Sequence, residues 1–259
     1  MTMRVDLNSD LGESFGPWPM GDDEAMLSLV SSANIACGFH GGDPQVILKA
    51  CKLARERGVS IGAHPGFADL QGFGRRPILG LSAAELESMI VYQIGAVQAL
   101  ARMAGGAVTH VKIHGAMSNM ACEDAGMAGA IARAIRIVDP TLIFVVLPFS
   151  ELQKAGQAEG LPMAIELFAD RAYEDNGLLM SRRKAGSVIH DADAAAENVL
   201  RMIRMQAVTT GSGKVMPTPV DTICIHSDTP GAVAMARHIR KRLDEAGVVI
   251  APFASWIKR

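Results

Sequence analysis

The chain has 259 residues, 49% of them apolar and 20% charged, with a formal net charge of −2. Those proportions fit a globular fold and exclude a disordered chain. The near-neutral charge, without a basic run, excludes the concentrated Lys/Arg surface that nucleic-acid binding requires. No uncharged apolar stretch reaches the roughly 20 residues that span a bilayer, and the opening MTMRVDLNSD has no apolar core of a secretory signal. A cytoplasmic protein is therefore expected. The four cysteines, Cys37, Cys51, Cys122 and Cys224, have no paired spacing, so they are expected as reduced thiols rather than zinc ligands or a disulfide framework. The length suits one hydrophobic core, and residues 1–259 are expected to form a single domain.

Short apolar runs alternate with longer amphipathic segments. Strands are predicted at Arg4–Asn8, Ala33–Cys37, Val59–Ala63, Val108–Ile113, Leu142–Leu147, Ala164–Phe168 and Thr222–His226. Helices are predicted at Asp43–Arg57, opened by Asp-Pro, and at Ser82–Met103, opened by the capping box Ser-Ala-Ala-Glu. Three more follow at Met117–Val138, Asp191–Val208 and Pro230–Ala246. Such alternation implies parallel strands joined by helical crossovers. Seven strands are one short of an eight-fold barrel, so an irregular seven-stranded (β/α) barrel is expected rather than an open doubly wound sheet. The longest irregular stretches, Pro65–Leu81 and Ala169–Ser187, are candidates for functional loops.

In parallel α/β architectures ligands bind at the carboxyl ends of the strands. Reactive residues gather there in this sequence, and five of its seven histidines lie on or just after a predicted strand end. The first strand carries Asp6, Asn8 and Asp10 at a spacing of two, which places them on one face, and leads to Glu13. That set points to a carboxylate cluster that orients water or binds a cation. The second strand leads through Asn34 and Cys37 to His40, where Gly38, Gly41 and Gly42 let the backbone approach a ligand. Cys37 reads more simply as a small buried hydrophobe than as a nucleophile. The third strand leads to His64 and then to GFGRR, where Arg75 and Arg76 suit a carboxylate or phosphate. The fourth carries Lys112 and His114. A lysine on a central strand needs a partner, and Glu166 or a substrate carboxylate would supply it. The sixth leads to Glu166, Asp170 and Arg171, and the seventh to His226 and Asp228. Asp10, His40 and His64 are the candidate ligands for a divalent transition metal. Thr209–Val215, TTGSGKV, is not a phosphate loop: Val208 stands where its first glycine belongs, and Val215 follows the lysine. The fifteen methionines read as core filler.

Taken in order, DLNSDLGE, NIACGFHGGDP, IGAHPGF with GFGRR, VKIHGAMSN, ELFADRAY and HSDTPGA resemble the LamB/YcsF family, whose members are the A subunits of prokaryotic 5-oxoprolinase. The resemblance runs from Val5 to Phe253. It departs from the family pattern at Ile113 and Ser118, where the family has proline and an aromatic residue, and at Ser227, which adds a side chain in a tight turn. It implies an irregular TIM-like β/α barrel of the glycoside hydrolase and deacetylase type, and ATP-dependent cleavage of 5-oxo-L-proline to L-glutamate with B and C subunits. ATP with Mg2+ would be bound mainly by those partners, and self-association is left open. On this reading Asp10, His40, His64, Glu13 and His114 are the catalytic candidates. Asp6, Asn8, Asn34, Arg75, Lys112, Glu166, Asp170, Arg171 and Asp228 are the substrate-binding candidates. The alternatives are a stand-alone metal-dependent deacetylase or amidohydrolase, and a non-catalytic scaffolding protein of the same complex.

Overall fold

The computed structural model describes residues 3–228 and 231–257. Strands β1 (Arg4–Leu11), β2 (Ser32–Ala36), β3 (Ser60–His64), β4 (Val108–Lys112), β5 (Ile143–Val146) and β6 (Met163–Phe168) are each followed by helical structure. A short antiparallel ribbon, β7 (Ala207–Thr209) and β8 (Val215–Pro217), stands outside their sheet, and β9 (Thr222–Cys224) and β10 (Val249–Ile250) complete the set. The parallel order is β1-β2-β3-β4-β5-β6-β9, and β9 pairs back onto β1 at Asp6 with Thr222 and Asn8 with Cys224. The expected seven-stranded barrel is therefore closed. The missing eighth position is part-filled by β10. The carbonyls of Met3 and Val5 accept from Val249 and Ala251, while that of Leu7 accepts from Ser31. Thus β10 occupies, at the bottom of the barrel, the edge of β1 that β2 takes over further up.

The helices form where the local chemistry starts and stops them. Asp43 caps α2 (Pro44–Glu56) by accepting from the amides of Gln45 and Val46, and the capping box of Ser82 and Glu85 opens α3 (Ala83–Met103). The predicted helix Met117–Val138 is two helices, α4 (Gly115–Ala121) and α5 (Ala125–Val138). Asp124 between them turns its carboxylate to the amide of Met127 and starts a new helix. The predicted Asp191–Val208 ends early, as α7 (Ala192–Met205), because Gln206 adopts a left-handed conformation at φ 46° and releases Ala207 into the ribbon. Short elements escaped the sequence pattern: α1 (Asp23–Met26) and α6 (Glu151–Ala158). The last helix, α8, spans Ala232–Glu245, and the predicted start at Pro230 lies outside the described residues. None of the described helices is long and apolar enough to cross a membrane. All four cysteines are free and buried, as expected of thiols.

The outer faces of the strands pack apolar residues, among them Leu7, Ile35 and Ile223, against the helices. The inner faces are polar. Period-two spacing sends Asp6, Asn8 and Asp10 inward as three successive layers. Asp6 occupies the lowest layer, fully buried, where its carboxylate accepts from the hydroxyls of Ser31, Ser32 and Thr222. It is enclosed beneath the site and cannot contact substrate, which corrects its assignment as a substrate-binding residue. Burial raises its pKa from 3.8 to about 6, against those hydrogen bonds. The fold thus favours the protonated acid. Its contribution to stability is fully present below pH 3.8 and is lost as pH rises through about 6. That displacement corresponds to about 3 kcal/mol. Asp6→Asn is expected to flatten the fall in unfolding free energy across this interval, as measured by urea titrations at a series of pH values.

Candidate active site

The middle layer supports the upper one. Asn8 donates to Glu166 at 3.0 Å and to Thr222 at 2.7 Å, while Asn34 donates to Asp10 and to Asn8, each at 2.8 Å. His110 packs below, with Nε2 3.0 Å from Asn34 Oδ1. It fits because residue 62 is glycine: a Cβ there would lie 2.1 Å from His110 Nε2. Asn8 and Asn34, expected to bind substrate, hold the carboxylates that line the cavity. Above them Lys112 Nζ lies 2.9 Å from Asp10 Oδ1 and 2.8 Å from Glu166 Oε1. Burial alone would raise the Asp10 pKa, but His64 and Lys112 hold it well below the carboxylate range. Burial would likewise lower that of Lys112, yet Asp10, Cys224 and Glu166 hold it well above its ordinary value. Asp10 and Lys112 are therefore each held in the ionised form by the other. Lys112 has the partner expected in Glu166 and a second in Asp10.

Beside this triad stands a buried imidazole cluster. His40 and His114 stack with centroids 3.7 Å apart and planes 3° from parallel, and His64 meets both edge-on. The stack fits against Gly74, where a Cβ would lie 2.8 Å from His114 Nδ1 and from His40 Cβ. Glu13 lies below, its Oε1 3.3 Å from His40 Nε2 and 3.8 Å from His114 Nε2. His64 Nδ1 is 2.7 Å from the Lys112 carbonyl oxygen, and its Nε2 is 3.3 Å from Asp10 Oδ2. Burial, then Asp10 and Asp228, push the Glu13 pKa well up. Burial, then neighbouring imidazoles, push His40 and His114 well down. His40 Nδ1, His64 Nε2 and His114 Nδ1 are buried without hydrogen-bond partners. Cys37 is buried and lies outside the cavity lining, and burial pushes its thiol strongly up, as suits a small buried hydrophobe.

Asp10, His64, Lys112, His114 and Glu166 face a cavity of about 450 Å³, together with cationic groups from Ala169–Ser187. Arg171 lines it, and its guanidinium donates to the carbonyls of Met180 at 2.5 Å and Ser187 at 3.3 Å. Among the described residues it meets no carboxylate within ion-pair distance. Asp170 lies outside the lining; it accepts from His226 Nδ1 at 2.8 Å, and His226 Nε2 accepts from Arg182 at 2.9 Å. His226, Arg182 and Arg183 complete the rim and were absent from the catalytic and binding candidates drawn from sequence. The strand-end position of His226 was the signal for it; nothing in the irregular run marked the arginines. The Arg75–Arg76 clamp does not form. Arg75 pairs with Asp228 at 2.5 Å and lines the cavity, while Arg76 turns outward to Asp69. Asp228 thus orients Arg75. Ile113 and Ser118 line the cavity, and Ser227 donates to the Asp10 carbonyl at 2.5 Å, tying the end of β1 to the turn after β9. Thr209–Val215 is the turn of the β7–β8 ribbon, away from this cavity.

The expected metal ligands Asp10, His40 and His64 are not the set the fold brings together. Asp10 is taken up by Lys112 and Asn34, and His40 lies behind the cluster against Glu13. The donors that converge are Glu13, His64 and His114, whose ligand atoms all lie within 4.8 Å of one another.

A closed β/α barrel with imidazoles, carboxylates and cations at the carboxyl ends of its strands has the layout of barrel enzymes, in which that face carries the chemistry. The chain belongs to the LamB/YcsF family, whose pattern matches residues 5–258. The 5-oxoprolinase A subunit of Rhodopseudomonas palustris is 59% identical over 252 residues, covering 97% of this chain and 99% of that protein. Its counterpart from Gluconobacter oxydans is 48% identical, covering 95% and 96%. The crystal structure of a lactam utilization protein from Thermus thermophilus superposes with a TM-score of 0.91 at 45% identity, covering 96% of this chain and 99% of that one. A GH18 chitinase from Pseudoalteromonas aurantia, 9% identical with a TM-score of 0.52 over 92% of this chain and 100% of that one, shares the barrel fold alone.

Proposed function

We propose that this chain is the ring-opening component of a 5-oxoprolinase, converting 5-oxo-L-proline to L-glutamate with ATP hydrolysis, alongside B and C partner subunits in the cytoplasm. The observation that carries this reading is the 59% identity, over nearly the whole chain, with a protein named as the A subunit of 5-oxoprolinase. The cavity supports it. An anionic lactam needs a cation for its carboxylate, and Arg171 lines the cavity without a carboxylate of its own. Opening the ring needs water delivered to the lactam carbonyl and a proton for the departing nitrogen. His64 and His114 stand at the cavity wall, where they can hold and orient the attacking water, and Lys112, held by Asp10 and Glu166, provides a fixed positive field for the oxygen that becomes negative. Phosphorylation of the lactam oxygen would make the carbonyl carbon attackable. A first water then adds to that carbon, the ring C–N bond breaks as the nitrogen takes a proton, and the acyl phosphate so formed is hydrolysed by a second water to the carboxylate and free phosphate. The sequence has no nucleotide-binding motif, so ATP and Mg2+ are assigned to the partner subunits.

The test is glutamate release from 5-oxoproline by the chain alone and with its partner subunits, with and without ATP. Turnover is expected only from the complete complex with ATP. Absence of glutamate from a correctly assembled complex would sink the assignment. Hydrolysis of acetylated sugars by the chain alone would put a deacetylase in its place.

A further inference from the structure

We infer that Glu13, His64 and His114 form a binding site for one divalent transition-metal ion, zinc by preference, with its open coordination position facing the cavity. The inference rests on the reading of this cavity as the active site but draws on separate observations. The three residues come from three strand ends: Glu13 two residues after β1, His64 at the end of β3 and His114 two residues after β4. All three are buried, and their donor atoms lie within 4.8 Å of one another.

Each donor is held by a neighbour, as metal ligands are when an outer shell fixes their orientation. His64 Nδ1 donates to the Lys112 carbonyl at 2.7 Å, which fixes the tautomer and leaves the lone pair on Nε2. That Nε2 is buried without a hydrogen-bond partner. A cation at the point where the Glu13, His64 and His114 donors converge would give it one. Glu13 is held by His40 at 3.3 Å, and His114 is clamped flat against His40 over Gly74. His40 is therefore a positioning residue for two ligands rather than a ligand itself.

The donor set selects the ion. Two imidazoles and one carboxylate suit zinc and its neighbours, and three protein ligands with a free fourth position is the arrangement of catalytic rather than structural zinc. Calcium and magnesium, which take shells of oxygen, are a poor match. His64 and His114 line the cavity, so the free position opens onto it.

The test is metal binding by the full-length chain alone, without substrate. The chelator-stripped protein is titrated with Zn2+ by calorimetry and with Co2+ by visible absorption, and thermal unfolding is followed in parallel. One equivalent of each metal is expected, with a tetrahedral-type cobalt spectrum and a raised melting temperature. His114→Ala and Glu13→Gln are each expected to weaken binding more than 100-fold, and His40→Asn by about 10- to 100-fold through loss of positioning. His238→Gln, on the outside of α8 beside Asp193, should leave binding unchanged. Absence of stoichiometric binding by the wild-type chain would overturn the site, as would binding indifferent to both ligand substitutions. The wild-type titration decides even if a variant fails to fold. Metal binding without turnover in the assembled complex would remove the oxoprolinase reading and leave the site standing.

Discussion

Lys112→Met is expected to lower the stability of the barrel by about 3–5 kcal/mol near neutral pH, and by much less at about pH 5. Methionine approximates the length of lysine, so the loss is one of charge rather than of volume. In the wild type the ammonium sits 2.9 Å from Asp10 and 2.8 Å from Glu166, all three side chains largely removed from water. Removing it leaves two carboxylates without their common cation, and an uncompensated buried charge is costly. The sign with pH follows from the two directions of shift. The pKa of Lys112 is raised, so its contribution is present below its unfolded value and is lost only in strongly alkaline solution. That of Asp10 is depressed, so its contribution is present above 3.8 and is lost as pH falls through its lower folded value. In the variant Asp10 loses the lysine that helps hold its carboxyl down and takes up a proton more readily, so the deficit shrinks as pH falls. Urea unfolding of both proteins at the two pH values checks this. A deficit below about 1 kcal/mol, equal at both, would show that the triad is not the electrostatic keystone of the barrel.

Much of this site could be read from the sequence because a parallel barrel turns chain order into position. Once the strands are found, residues at their carboxyl ends share one face, which is how Asp10, His64, Lys112, His114 and Glu166 come together from separate segments. Depth was not legible. Spacing of two places Asp6, Asn8 and Asp10 on one face but does not say which layer meets the cavity, and the lower two proved to be support. Nor does periodicity give side-chain reach. Glu13 and His114 lie beyond their strands, in turns packed closely against Gly41 and Gly74 respectively, and so the converging donor set differs from the expected Asp10, His40 and His64. Arg171 was marked by its place after the sixth strand and is held by backbone carbonyls of its own loop, whereas Arg182 and Arg183, further along that loop, carry no local pattern. The two-residue strand β10 is too short for any alternation to reveal, and its position follows from barrel closure.

Substitutions at the cavity should separate holding the substrate from transforming it. Arg171→Met is expected to raise KM for 5-oxoproline by about 10- to 150-fold in the assembled complex, with kcat changed far less, because a charged hydrogen bond to a carboxylate is made equally in ground and transition states. His114→Ala is expected to lower kcat by about 100- to 10,000-fold with KM little altered, since a group that moves protons or organises the attacking water acts at the barrier. Arg171→Lys tests the first point more finely. A lysine keeps the charge but not the planar fork that spans the carbonyls of Met180 and Ser187, so an intermediate KM is expected. If instead Arg171→Met lowers kcat at unchanged KM, the guanidinium acts on the transition state, and the carboxylate of the substrate must be held elsewhere on the rim, with Arg75, Arg182 and Arg183 the arginines left to hold it.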